Sequence, residues 1–278
     1  MSTRTTHLET IRRILVALDG SSESLAALDA AALLAAHLHA QVEALFVEDA
    51  DVLRLADLPC ARVTSALLLQ TERIDRPRLE RQMRVRAMQA QEMVRRRATA
   101  LRVQATFRQV RGKVATEVLA AAAEADLLSV GRTERSLAGW WPAEAALQAA
   151  LAAGRPFLVV GRRAKPGQGV LMVYDGSPAD GRALELAAEL AESTGQGLSV
   201  LILAPTYSEA RELAQRVSGP LAGRRLGLDV RYSSGEYRTA VAAALRQARP
   251  GLVVAGVESG ERAGQLVQAV DCPLLLVP

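Results

Sequence analysis

Two short segments of this 278-residue chain carry residue types that could hold a ligand. Asp19-Gly20-Ser21 closes the apolar run ILVAL, and Asp175-Gly176-Ser177 closes VLMVY at an offset of 156 residues. A carboxylate just past a strand can contact a bound molecule. An Asp-Gly-Ser at the same place also makes a turn and caps the next helix, so both readings stay open for Asp19 and Asp175. Gly131 and Gly256 follow two later apolar runs, DLLSV and GLVVA, in matching order.

No arrangement for catalysis accompanies them. The G-x-S-x-G elbow, the H-E-x-x-H helix and the G-x-x-x-x-G-K-[ST] loop are all absent, which removes the minimal parts of hydrolase, zincin and P-loop chemistry. His7 sits in a tail, while His37 and His39 fall at a helix end, where positive charge is favoured. Cys60 and Cys272 show no metal or disulfide spacing and read as reduced, buried thiols. The chain is expected to be no enzyme and to need no metal.

Two segments could instead meet a partner. The stretch GRTERSLAGWWP, residues 131–142, places Arg132, Arg135, Trp140 and Trp141 in one turn, and Arg and Trp are enriched at contact hot spots. These four residues are the candidates for a partner surface or a replacement ligand site; the alternative is a Trp pair folded back over the sheet edge. Residues 70–102 hold ten Arg against four acidic residues, a net +6 that exceeds the +4 of the whole chain. That segment could neutralise phosphates. Its apolar positions Leu79, Met83, Ala87, Ala90, Val94 and Leu101 give one face to a core, however, and leave the arginines solvated, with no aromatic residue for base stacking. Nucleic acid is therefore not the expected partner.

The elements that must position these residues come in two sets. Besides the Asp-Gly-Ser pair, Gly112 recurs as Gly235, DLLSVG (126–131) as GLVVAG (251–256), and PFLVV (156–160) as PLLLV (273–277). Apolar runs alternate with Ala/Leu-rich segments at helical spacing, the pattern of strand–helix–strand units around a parallel sheet. The first set predicts strands at 12–18, 41–47, 103–110, 126–131 and 156–161, with helices at 22–38, 78–101, 114–124 and 142–153. The second predicts strands at 169–174, 197–203, 228–233, 251–256 and 273–277, with helices at 179–194, 207–226, 237–248 and 261–269. The stretch 162–169, RRAKPGQG, reads as a short linker. Two domains are expected, 1–164 and 165–278. The first carries an insertion at 49–77 that predicts one or two short helices over the carboxyl edge of the sheet.

The order of these pieces resembles the universal stress protein family, twice over. The resemblance implies two tandem doubly wound domains, each with a five-stranded parallel sheet. Ligands of such sheets bind beyond the carboxyl ends of the strands, at the switch point. One subgroup of that family binds ATP there with a loop G-x-x-G, nine residues, then G-[S/T], whose glycines let backbone N–H groups close on phosphate. Here Gly131 matches the first position, but Glu134 and Glu144-Ala145 replace the others. In the second copy Ser259 and Glu261-Arg262 stand at the later positions and the nine-residue spacer has shrunk to Gly260. The family contacts the nucleoside at the position of Asp19 and Asp175, so Asp19, Gly131, Asp175 and Gly256 are the candidate binding residues.

An adenine nucleotide such as ATP is conceivable at these residues but not favoured, and no cofactor is the expectation. The family pairs fifth strands between domains, and this chain holds both partners, 157–161 and 274–278. Intramolecular antiparallel pairing of the two is expected, together with a homodimer and an unidentified protein partner. The opening stretch lacks the apolar core of a secretory signal, and no apolar run reaches the ~20 residues that span a bilayer. A soluble, cytoplasmic stress or regulatory protein with no membrane contact is expected.

Overall fold

The computed structural model describes residues 11–58, 62–64, 71–73, 75–132, 147, 150–161 and 168–278. Strand β1 (Arg13–Leu18) leads into helix α1 (Ser22–Leu38), followed by β2 (Gln41–Asp49). Then come α2 (Ala50–Ala56), the short strands β3 (Arg62–Thr64) and β4 (Thr71–Arg73), and the long helix α3 (Arg76–Leu101). The first half closes with β5 (Ala105–Gly112), α4 (Val114–Ala122), β6 (Leu127–Arg132) and β7 (Phe157–Gly161). The second half runs β8 (Val170–Tyr174), α5 (Pro178–Thr194), β9 (Leu198–Leu203), α6 (Tyr207–Leu221), β10 (Leu228–Ser233), α7 (Tyr237–Ala248), β11 (Leu252–Gly256), α8 (Gly260–Ala269) and β12 (Leu274–Val277).

All strands except β3 and β4 join one ten-stranded sheet of order β10-β9-β8-β11-β12-β7-β6-β1-β2-β5. Within each half every pairing of this sheet is parallel. At the centre β7 and β12 pair antiparallel, Leu158 opposite Leu275. The run of Phe157 to Val160 and of Leu274 to Val277 is buried throughout, as strands covered on both faces must be.

Helices α1, α3, α5 and α6 pack on one face and α4, α7 and α8 on the other. Each of the two core layers crosses the β7–β12 seam without a break, through Leu158 and Leu275 on one face and Phe157 and Leu274 on the other. Burial of such side chains stabilises by about 1.5–3 kcal/mol each relative to exposure, so the halves share a core.

The insertion departs from expectation. Only α2 is helical; the rest described is an antiparallel ribbon, Arg62 opposite Arg73 and Thr64 opposite Thr71. Val63, Thr64 and Thr71 are β-branched and suit that ribbon, and α2 closes at its cap Asp57, whose N–H donates to the Arg54 and Leu55 carbonyls. Helix α3 starts two residues earlier than predicted because Asp75 accepts from the Arg78 N–H at 3.3 Å and Pro77 occupies the first turn. Its buried residues are Ala87, Ala90 and Val94, and Leu79, Met83 and Leu101 are partly covered. Helix α6 ends five residues early, at Leu221, just after Pro220 and before Gly223, whose φ is +79°. Among the described residues no helix is long and apolar enough to cross a membrane.

Candidate functional site

Two equivalent turns lie past the carboxyl ends of β1 and β8, where these strands pair with β6 and β11. In the first, Gly20 takes φ +78°, and Asp19 Oδ1 accepts from the Ser21 N–H at 2.9 Å. Ser21 caps α1 by accepting from the Ser24 N–H at 3.1 Å. The buried Ser24 hydroxyl donates to the Ser21 carbonyl at 3.1 Å. Asp19 therefore makes the turn that starts α1, yet its side chain stays exposed.

The second half repeats the turn, with Gly176 at φ +87° and Asp175 Oδ1 accepting from the Ser177 N–H at 3.1 Å. Asp180 stands where the first half has Ser24. Its Oδ2 accepts from the N–H groups of Asp175 (2.7 Å) and Gly176 (2.9 Å), and its side chain is fully buried.

Gly131 and Gly256 serve the same end in both halves. A Cβ on Gly131 would lie 2.3 Å from the Glu23 carbonyl carbon and 2.5 Å from the Ser24 nitrogen. One on Gly256 would lie 2.7 Å from the Asp180 nitrogen. The first turn of α1 or α5 presses directly on the strand, and only glycine leaves room. The signature glycine is thus accounted for by helix–strand packing, with or without a phosphate.

The two turns differ in what surrounds them. Arg262, on the first turn of α8, donates to Asp175 Oδ2 and lies 5.1 Å from the centre of the Tyr237 ring, a cation–π contact. Arg216 of α6 donates to the Gly176 carbonyl at 3.3 Å. Burial raises the pKa of Asp180 well above the ordinary carboxyl value, and the neighbouring Asp175 carboxylate adds to the rise. For Asp175 burial also works upward, but the hydrogen bond and charge of Arg262 outweigh it and hold the group below its ordinary value. Burial pushes the Tyr237 phenol up to about 12. The Asp175 carboxylate is therefore paired with a guanidinium of the chain itself, which also stacks on Tyr237. At the first turn no ion pair to Asp19 exists among the described residues, and the Arg86 side chain of α3 packs 3.4 Å from where a Gly20 Cβ would be.

Arg132 does not face outward. It reaches across the seam to the end of α8, donating to the carbonyls of Val267 and Val270 (3.1 Å) and to Asp271 at 3.3 Å. An arginine serves the open carbonyls of a helix terminus well, and this contact takes Arg132 away from the partner surface expected of it. Arg135, Trp140 and Trp141 lie outside the described residues. Cys272 is half-buried with its thiol pushed up to about 11, mainly by burial, which leaves little reactive thiolate. Among the described residues no cluster of His, Cys, Asp and Glu is placed to hold a metal.

Asp180, Tyr237 and Arg262 are absent from the residues expected from sequence. A signal existed for two of them: the 156-residue offset sets Asp180 on Ser24, and Arg262 stands at the last position of the loop signature.

The sequence model of the universal stress protein family matches residues 10–160. Among curated proteins, none matches the chain. A universal stress protein from Archaeoglobus fulgidus superposes with a TM-score of 0.72 at 16% identity, covering 95% of this chain and 97% of that one. A putative universal stress protein from Pseudomonas aeruginosa gives 0.61 at 17% identity, covering 97% and 94%. The cytoplasmic domain of a prokaryotic cation chloride cotransporter gives 0.52 at 13%, covering 96% and 95%. At these identities the likeness is one of fold.

Proposed function

We propose that this chain, which belongs to the universal stress protein family, is a non-catalytic tandem stress protein of the cytoplasm that acts through protein contacts or a small ligand other than ATP. The observation that carries this reading is the Arg262–Asp175 pair over Tyr237. A nucleoside at Asp175 would have to displace a guanidinium from a half-buried carboxylate, which leaves both charges poorly paired. In the first half, Glu134 and Glu144 replace loop positions that are Gly in the ATP-binding pattern, and carboxylates repel phosphate. Calorimetry of the full chain with magnesium and ATP is expected to show no binding in the low micromolar range. A low micromolar dissociation constant would overturn the reading. Mass spectrometry of small molecules released from natively purified protein then tells an empty fold from one loaded with another ligand.

The exposed carboxylate of Asp19 favours a second reading. With no guanidinium paired to it among the described residues, it could hold an adenine nucleotide weakly beside Gly131. Asp19→Asn should then abolish whatever heat ATP produces.

A further inference from the structure

Strand β10 ends the sheet on the second half. The bonds from Leu198 N–H to the Gly227 carbonyl (2.8 Å) and from Ala204 N–H to the Ser233 carbonyl (3.2 Å) fix its hydrogen-bond phase. By the alternation of a parallel ladder, Asp229, Arg231 and Ser233 turn their backbone groups to β9, while Leu228, Val230 and Tyr232 turn theirs outward. The side chains of those same three residues are each 39% exposed. Tyr207 of α6, 74% exposed, packs edge-to-face on Tyr232 at 6.3 Å and extends the apolar strip. On the opposite face, Asp229 and Arg231 pair with each other at 2.7 Å, and Arg231 also donates to Gln247.

The opposite edge of the sheet is protected. Strand β5 is flanked by α2, α3 and α4, and Arg108 and Arg111 along it are ion-paired to Glu43 and Glu48. Charge and cover of this kind block edge pairing. The second half lacks the insertion, and β10 packs mainly on β9.

We infer that the β10 edge is a homodimer surface, paired antiparallel with β10 of a second copy about a two-fold axis at Val230. The sequence Leu228-Asp229-Val230-Arg231-Tyr232 is self-complementary under that operation. Val230 meets its own copy and Leu228 meets Tyr232, and each such pair exchanges two backbone hydrogen bonds through the groups that face away from β9. Asp229 meets Arg231 of the other copy at a non-hydrogen-bonded position, where facing side chains approach closest. Any other register of the same parity loses that charge match. An interface of one short strand is smaller than that of a permanent dimer, so the association is reversible and depends on concentration.

Sedimentation velocity of the full chain over a wide concentration series tests this. Wild type should pass from monomer to dimer. Val230→Pro removes an outward N–H that β9 does not use, and it should abolish the dimer while the thermal melt stays cooperative. Asp229→Arg and Arg231→Asp should each weaken association about tenfold or more by setting like charges opposite each other. The double swap, or a mixture of the two single variants, should restore it. A strictly monomeric wild type would overturn the proposal, as would a dimer indifferent to Val230→Pro and to the charge swaps. Capture of an extended peptide at the same edge, with no self-association, would assign the edge to a different partner and equally overturn it.

Discussion

Ser24 and Asp180 occupy equivalent places, and the exchange of a hydroxyl for a carboxylate changes the electrostatics beneath one of the two turns. Asp180 is faced by Asp175, Tyr174 and Tyr237, while Arg262 pairs with Asp175 and Arg216 donates to the Gly176 carbonyl. Its raised pKa means that the folded chain keeps a proton at pH values where the unfolded chain has lost it. The stability this provides is complete below the ordinary carboxyl value of 3.8. As pH rises toward the raised value it is lost at up to about 1.4 kcal/mol per pH unit, and above that value the loss levels off. Asp180→Asn retains an acceptor for the Asp175 and Gly176 N–H groups and does not titrate. Its melting temperature should therefore gain on wild type as pH rises from acid to alkaline. A difference that stays constant across the pH series would refute the assignment.

At the scale of elements, the fit of α1 against β6 rests on a missing methyl group. Gly131→Ala would push a Cβ into backbone atoms of Glu23 and Ser24, and overpacking of this kind costs about 1–3 kcal/mol. Gly181, inside α5, has nothing within 4 Å of its would-be Cβ and no positive φ. Gly181→Ala should accordingly stabilise by about 0.5–1 kcal/mol. Denaturant melts of the two variants should move in opposite directions, and a neutral Gly131→Ala would show that helix and strand are not in forced contact. The core strands and helices were legible because their apolar periodicity is strong over many residues. The insertion was not, since a few β-branched residues beside a leucine-rich run support helix and ribbon almost equally.

For the whole molecule, the ten strands form one sheet only because β7 and β12 cover each other's edge. Phe157, Leu158, Val159 and Val160 would otherwise present a bare apolar strand, an aggregation hazard. The isolated first half, cut near Arg163, is expected to dimerise or aggregate. Analytical ultracentrifugation that found it a well-behaved monomer at high concentration would contradict that account. Arg132 adds a polar tie across the seam, since it leaves β6 beside Gly131 and ends on the last carbonyls of α8.

By itself the sequence determined the two sets of elements, their order, the turns at Asp19 and Asp175 and the glycines after the fourth strands. All of these depend on local pattern: the period of apolar residues, the turn chemistry of Asp-Gly-Ser and the repeat that shows each signal twice. Tertiary structure alone decided that Arg262 lies on Asp175, that Asp180 is fully buried beneath the turn, that Arg132 caps a helix of the other half and that β10 ends the sheet. Each of these joins side chains 87 or 138 residues apart, as with Arg262–Asp175 and Arg132–Val270, or depends on what a neighbouring element leaves uncovered. A long side chain reaches whichever acceptor the packed helices bring near it, and no local spacing specifies which acceptor that will be.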